Sequence, residues 1–293
     1  MAAEVVAPAH VYQPSSLRRW SRSRVLAWYV LMSGLSVIAL FPFYWMLVSS
    51  FKTEAELFEL QPTLVPMNPS VEFYGRLVTG TPFLRYFLNS TIVSLVTTSL
   101  VIVVATLAAY SLARFRFRGR EPFALSMLVG QMFPSVLLAI PIFVILSQIG
   151  LLDSFVGLVM AYVTFALPFC TWMLRGHFMN VPLELEESAM IDGATRLGAM
   201  VRITLPLAAP GIAATAILGF LLAWNEYLFA AVLVTRDDLK TLPVGLSGYI
   251  SPWFVDYGVL MAGSVMASVP VIIFFVLVQR YIIAGLTSGA VKG

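Results

Sequence analysis

Long apolar runs alternate with polar connections along this 293-residue chain. Six runs cover residues 25–48, 84–113, 123–149, 155–174, 207–234 and 259–284. Each reaches the roughly 20 residues that a helix needs to cross about 30 Å of hydrocarbon. In lipid the backbone must satisfy its own hydrogen bonds, so runs of this length predict helices. The pattern predicts an all-α, polytopic membrane protein with six transmembrane helices. It divides the chain into an N-terminal segment 1–24, a first helix with a polar loop over 25–83, a five-helix core over 84–284 and a tail 285–293.

Composition agrees and removes whole classes. The chain is 59% hydrophobic and 11% charged, with a mean hydropathy of +0.89. Soluble domains carry about 25% charged residues, so a globular enzyme with a wet surface is excluded. The net charge of +3 and pI near 9.1 do not point to nucleic acid, because the arginines sit at the ends of apolar runs. Residues 1–24 end in Arg18, Arg19, Arg22 and Arg24 and lack the short apolar core and cleavage site of a removable signal peptide. Thirteen of the 18 basic residues fall in 1–24, 114–120, 175–205 and the C-terminal end. The positive-inside rule places these segments and both termini in the cytoplasm. Arg114 to Arg120 anchor that topology, with lipid headgroups as a second contact.

Candidate chemistry is sparse. Cys170 is the only cysteine, so neither an intrachain disulfide nor a cysteine metal cluster is available. His10 and His177 have no metal-ligand company. No GxxxxGK[ST] loop occurs, so any ATP used is hydrolysed by another chain. No catalytic residue and no metal site are expected. Glu54, Glu56 and Glu59 read as a solvated outer face. Pro134, Pro141, Pro168 and Pro270 interrupt runs where lipid offers no partner for a freed carbonyl. They fit either packing kinks or irregular backbone around a water-filled pathway.

Glu226 is the only acid inside a predicted span, about 12 Å below the outer end at 1.5 Å per residue. A charge at that depth should face the bundle interior or a wet cavity. Asn225 and Tyr227 flank it with hydrogen-bonding groups, and Trp224 offers a flat apolar face of the sort sugars stack on. Both a pathway residue and a structural carboxylate paired with a neighbouring span fit these features.

The loop 175–205 is the most charged interior segment beside the spans. Asn180 and Pro182 suit a helix start, Glu184, Glu186 and Glu187 suit the positive first turns, and Gly193 suits a stop. A second short helix is predicted from Thr195, ending before Pro206. Charge and spacing alone leave two readings, a solvated connection and a surface offered to a partner.

The spacing of Glu187, Ser188, Ala189, Gly193, Ile203, Leu205 and Pro206 resembles the EAA loop of ABC-importer permeases, EAA-x3-G-x9-I-x-LP. Ser188 replaces the middle alanine. Asn89-Ser90, Ala109 to Arg114, Gly150-Leu151-Leu152, Asp192-Gly193-Ala194, Trp224 to Tyr227 and the tail 285–293 resemble carbohydrate-type permeases. The tail is similar to the shorter permease of maltose-type importers. This resemblance implies a cytoplasmic coupling helix seated in an ATPase cleft, involving Glu187, Ser188, Ala189, Asp192, Gly193, Ala194, Ile203, Leu205 and Pro206. It implies that tail residues Gly285, Leu286, Thr287 and Lys292 contact the ATPase.

The same resemblance implies the partners. These are a companion permease, an ABC ATPase dimer that uses ATP and Mg, and an extracytoplasmic solute-binding protein. The expected function is sugar or oligosaccharide import across a bacterial or archaeal inner membrane, with no cofactor bound by this chain. A polyol, glycerol phosphate or acidic oligosaccharide is the alternative cargo, and an ion-coupled secondary transporter the alternative class.

Overall fold

A computed structural model describes residues 22–251 and 253–290, with side chains at 22, 278 and from 280 onward outside the described set. His10 and Lys292 therefore lie outside the described residues. The first helix, α1 (Arg22–Ser50), belongs up to Trp45 to a unit of its own. It exposes Tyr29, Val30, Val37 and Ile38, and a helix apolar all round is one that lipid can solvate.

The second unit begins at Met46. Its first loop carries α2 (Glu54–Leu57) and α3 (Glu72–Gly80). Glu54 and Glu59 are exposed as expected, but Glu56 is not. Glu56 is buried and accepts from Thr63 Oγ1 at 2.9 Å and Met67 N at 2.8 Å, while buried Lys52 donates to the Thr63 carbonyl at 2.6 Å. The loop folds back on itself, and its buried backbone groups need those two side chains as partners.

The core is built on α4 (Phe83–Arg114), α5 (Arg120–Gln131), α6 (Ser135–Gln148) and α7 (Phe155–Met179). α4 and α7 run against each other along their length. Ala105, Ala109, Ala166 and Cys170 are buried between them, small side chains that let backbones approach closely. The predicted third span is not one helix. α5 and α6 meet at a 98° bend across residues 132–134, where Pro134 cannot donate a helical hydrogen bond. Pro141, Pro168 and Pro270 stay inside helices without breaking them.

Beyond α7 come α8 (Leu183–Ile191) and α9 (Arg196–Ala199), then a π-helical turn, Met200–Thr204, that runs directly into α10 (Leu205–Trp224). The short helix expected to stop before Pro206 instead continues into the span. Leu205 N bonds to the Met200 carbonyl five residues back, and this widened turn lets the helix carry Pro206 and Pro210 without ending. α10 packs on α4 and α7; its Gly211 accommodates the His177 ring, which a Cβ there would strike.

The fifth span was expected over 207–234, but the helix ends at Trp224. A break at 225–227 leads to α11 (Leu228–Leu233), followed by a 3-10 turn Asp237–Leu239 and α12 (Leu242–Ser247). Finally α13 (Tyr257–Ala290) packs on α10 and α3. It extends past 284, so Gly285, Leu286 and Thr287 continue a helix rather than opening a separate tail. Among the described residues, five helices are long and apolar enough to span a membrane, or six if the bent pair is one span. Among the described residues no strand occurs, only an isolated bridge between Ile250 and Val255.

Candidate functional site

At the arginine-rich end, the backbone of 189–194 closes a Schellman motif on α8. Ala194 N bonds the Ala189 carbonyl at 2.9 Å, and Gly193 N bonds the Met190 carbonyl at 3.1 Å. The motif requires a left-handed residue, and Gly193 has φ of 90°. Ser188 Oγ turns back to the Glu184 carbonyl at 2.8 Å, and Thr195 caps α9 through Gly198 N at 3.1 Å. Glu187 and Asp192 remain exposed on the outer face. Ala189, Asp192, Gly193, Ala194 and Ile203 join Arg202 around a notch between α8 and the π turn. Leu205 is half-buried and Pro206 exposed at the start of α10.

Sequence reasoning missed the residue that fastens this loop. Glu186, placed with the other acids in a favourable first turn, is buried. It accepts from Thr204 Oγ1 at 2.6 Å, Arg114 Nε at 2.7 Å and Tyr110 Oη at 2.8 Å. Arg114 also donates to the Val181 carbonyl at 2.8 Å. Burial pushes the Glu186 carboxyl upward, but the bonds from Thr204, Tyr110 and Arg114 outweigh it and hold it below the ordinary carboxylate range. α8, the end of α4 and the start of α10 are thereby tied at one point. The i,i+4 pair Tyr110 and Arg114 at the end of an apolar run was the available signal, since those positions share a helix face.

At the far end, Glu226 does not sit inside a helix. Its carboxylate caps α11, accepting from Phe229 N at 2.8 Å and Ala230 N at 3.1 Å. Asn225 Nδ2 bonds the Leu221 carbonyl at 2.9 Å, satisfying the end of α10. These side chains compete with the helical backbone for its own groups, which explains why the span breaks here. Trp224 offers no free face. It is buried, stacks on Phe220 at 5.5 Å, meets Phe87 edge-on and donates its indole N–H to the Ala267 carbonyl at 3.2 Å. Its expected stacking surface is used up in the core; Tyr227 is exposed instead.

The two helix breaks open onto one cleft of ≈ 230 Å³. Gln131 and Ser135 reach it from the α5–α6 bend, Tyr162, Phe165 and Phe169 from α7, and Glu226 and Phe229 from the α10–α11 break. Beside it, Asp153 at φ of 50° accepts from Thr235 N, Thr235 Oγ1 and Arg236 N at 2.6, 2.7 and 2.9 Å. Those bonds hold its carboxyl below the usual range and pin the 150–154 turn to the end of α11. Asn89 holds the Asp238 and Lys240 carbonyls at 3.0 and 2.9 Å, and Ser90 accepts from Leu242 N at 2.7 Å. A tight turn at 250–255 displays Trp253, 94% exposed, and Phe254.

The described helices thus form a broken-helix bundle with a cleft at one end and a small-residue loop at the other, the architecture of a membrane transport component. Residues 101–288 match the family described as binding-protein-dependent transport system inner membrane component. The chain belongs to that family, and the assignment read from the loop spacing is borne out. The inner membrane ABC transporter permease protein YcjP of Escherichia coli is 40% identical over 88% of this chain and 92% of its own. The trehalose/maltose transport system permease protein MalG of Thermococcus litoralis is 36% identical over 93% of this chain and 99% of its own. Among solved structures, a bacterial ABC transporter involved in import of the acidic polysaccharide alginate superposes over 89% of this chain and 98% of its own. Its TM-score is 0.78 at 25% identity.

Proposed function

We propose that this chain is the transmembrane permease of an ATP-driven importer for a sugar or oligosaccharide, paired with a companion permease and an ATPase dimer. The Glu186 cluster carries the reading. A loop that only joins two spans needs no buried ion pair to fix it to a third helix, whereas a lever does.

The basic-residue distribution puts the loop and both termini in the cytoplasm. There the ATPase, which holds ATP and Mg, pushes on the exposed face of α8 around Glu187, Ser188, Ala189, Asp192, Gly193 and Ala194. Its closure moves α8, and the bonds at Glu186 pass the displacement to the ends of α4 and α10 together. Ile203, Leu205 and Pro206 lie where the lever joins the span. Gly285, Leu286 and Thr287 carry the last helix toward the same ATPase, which Lys292 also contacts. At the other face, the turn bearing Trp253 meets the solute-binding protein, and Asn225, Glu226 and Tyr227 border the conduit. The names of the relatives, a trehalose/maltose permease and an alginate importer, support a saccharide cargo.

Copurification tests this reading. The membrane-extracted chain should bring down a nucleotide-hydrolysing subunit, and proteoliposomes of the whole complex should take up sugar with ATP and no ion gradient. Uptake that follows an ion gradient and ignores ATP overturns it.

A further inference from the structure

The cleft between the helix breaks has properties that the coupling reading does not use. Its lining residues include one carboxylate, Glu226, and no basic side chain. That carboxylate is fixed by two backbone N–H groups, one to each oxygen, which leaves lone pairs on both for a further donor. Gln131 spends its amide N–H on the Phe165 carbonyl at 2.8 Å, so its oxygen is free to accept. Tyr162 is 3% exposed, and its hydroxyl interacts with the Glu226 carboxylate and the Thr241 hydroxyl while lining the same cleft. Phe165 and Phe229 stack at 4.6 Å along the same wall, and Phe169 continues the aromatic surface.

We propose that this cleft is a saccharide subsite on this chain itself, built for a neutral sugar rather than an anionic one. The proposal deepens the importer reading and rests on it. A neutral sugar ring offers C–H faces to the phenyl rings and hydroxyl groups that both donate and accept. Its donors meet Glu226 and Gln131, and its acceptors meet Tyr162 and Ser135. A uronate, sulfonate or phosphate would bring a second negative charge against Glu226 with no cation in the lining to offset it, and like charges at short range in a poorly hydrated site repel. Glu226 thus sets charge selectivity, and Tyr162 with Gln131 positions the ring.

The test uses the assembled complex in proteoliposomes with its solute-binding protein. It is offered maltose, trehalose and diacetylchitobiose as neutral sugars, and digalacturonate and glycerol 3-phosphate as anionic ones. Uptake should be confined to neutral compounds. Tyr162→Phe and the exposed Gln131→Ala should each raise the half-saturating concentration about three- to tenfold, the loss of one hydrogen bond. Stimulation of ATPase activity by the loaded binding protein should stay unchanged in both variants, which separates the subsite from the lever. Glu226→Gln should relax the exclusion of anionic compounds. Preferred uptake of an anionic compound, or neutral uptake indifferent to all three substitutions, overturns the subsite while leaving the importer reading intact. An ATPase that never responds to loaded binding protein, with no uptake at all, overturns both.

Discussion

The loop at the arginine-rich end and the cleft at the far end are both places where helices are interrupted, and they are finished in opposite ways. Around Glu186 each carboxylate oxygen has a donor, and the ion pair with Arg114 is buried, with a second guanidinium N–H on the Val181 carbonyl. Around Glu226 the carboxylate caps α11 and meets the Tyr162 hydroxyl, but it also borders an open cleft. A satisfied buried network has one arrangement and moves as a body. One that borders open space keeps lone pairs for a ligand. The same residue type, glutamate at a helix break, thus serves rigidity at one end and recognition at the other, depending on whether its neighbours are closed among themselves.

The sharpest way to break this contrast is to open the closed end. Glu186→Ala strands Arg114 in a buried site and removes three hydrogen bonds. Breaking a buried pair costs about 3–5 kcal/mol, so a large fall in the melting temperature of the purified complex is expected. A melting temperature unchanged from wild type would show that the cluster does not hold the loop. Glu186→Gln, which keeps the acceptor and loses the charge, should fall between the two.

Next in size is Gly193→Val. A branched side chain at φ of 90° carries strain of about 1–3 kcal/mol and alters the exposed end of α8. Sugar uptake should drop at least about tenfold while membrane insertion persists, since 1.4 kcal/mol is a factor of ten. Uptake at the wild-type rate would mean that the geometry of this turn is irrelevant to driving.

Acid should probe both ends with a smaller effect. Glu186 and Asp153 have folded-state carboxyl pKa values lowered from their ordinary ones. Groups of that kind add stability that is complete above the unfolded-state values of about 4 and is lost as pH falls through the lowered values. Thermal stability should therefore be flat at neutral pH and decline in acid, and Glu186→Gln should flatten the decline. A wild-type curve rising toward low pH contradicts the assigned bonds.

The smallest effect on stability belongs to Trp253→Ala. At 94% exposure it should change stability by no more than about 0.5 kcal/mol. It should nevertheless raise the concentration of loaded binding protein that half-stimulates the ATPase. An unaltered concentration would remove this turn from the docking face.

Much of this was legible in the chain because lipid imposes a simple rule. Apolar length alone located the spans, but four prolines fitted kinks and irregular backbone alike, and only folding showed that Pro134 lies at a break. The loop spacing identified the family because Gly193 answers a local backbone demand that only a few residues meet. Glu56, Glu186 and Trp224 were misplaced for a common reason. Their partners Thr63 and Met67, then Tyr110, Arg114 and Thr204, and finally Phe87 and Ala267, are brought close only by folding. No local pattern tells a solvated acid from one that will be buried.

The sequence by itself determined the helical class, the topology bias carried by arginines and the turn at Gly193, all of which depend on neighbours a few residues apart. Tertiary structure alone decided that one glutamate would lock three helix ends and that two distant breaks would open onto one cleft. Those outcomes rest on contacts between residues separated by whole helices, where hydrogen-bond satisfaction across the bundle, not local propensity, selects the arrangement.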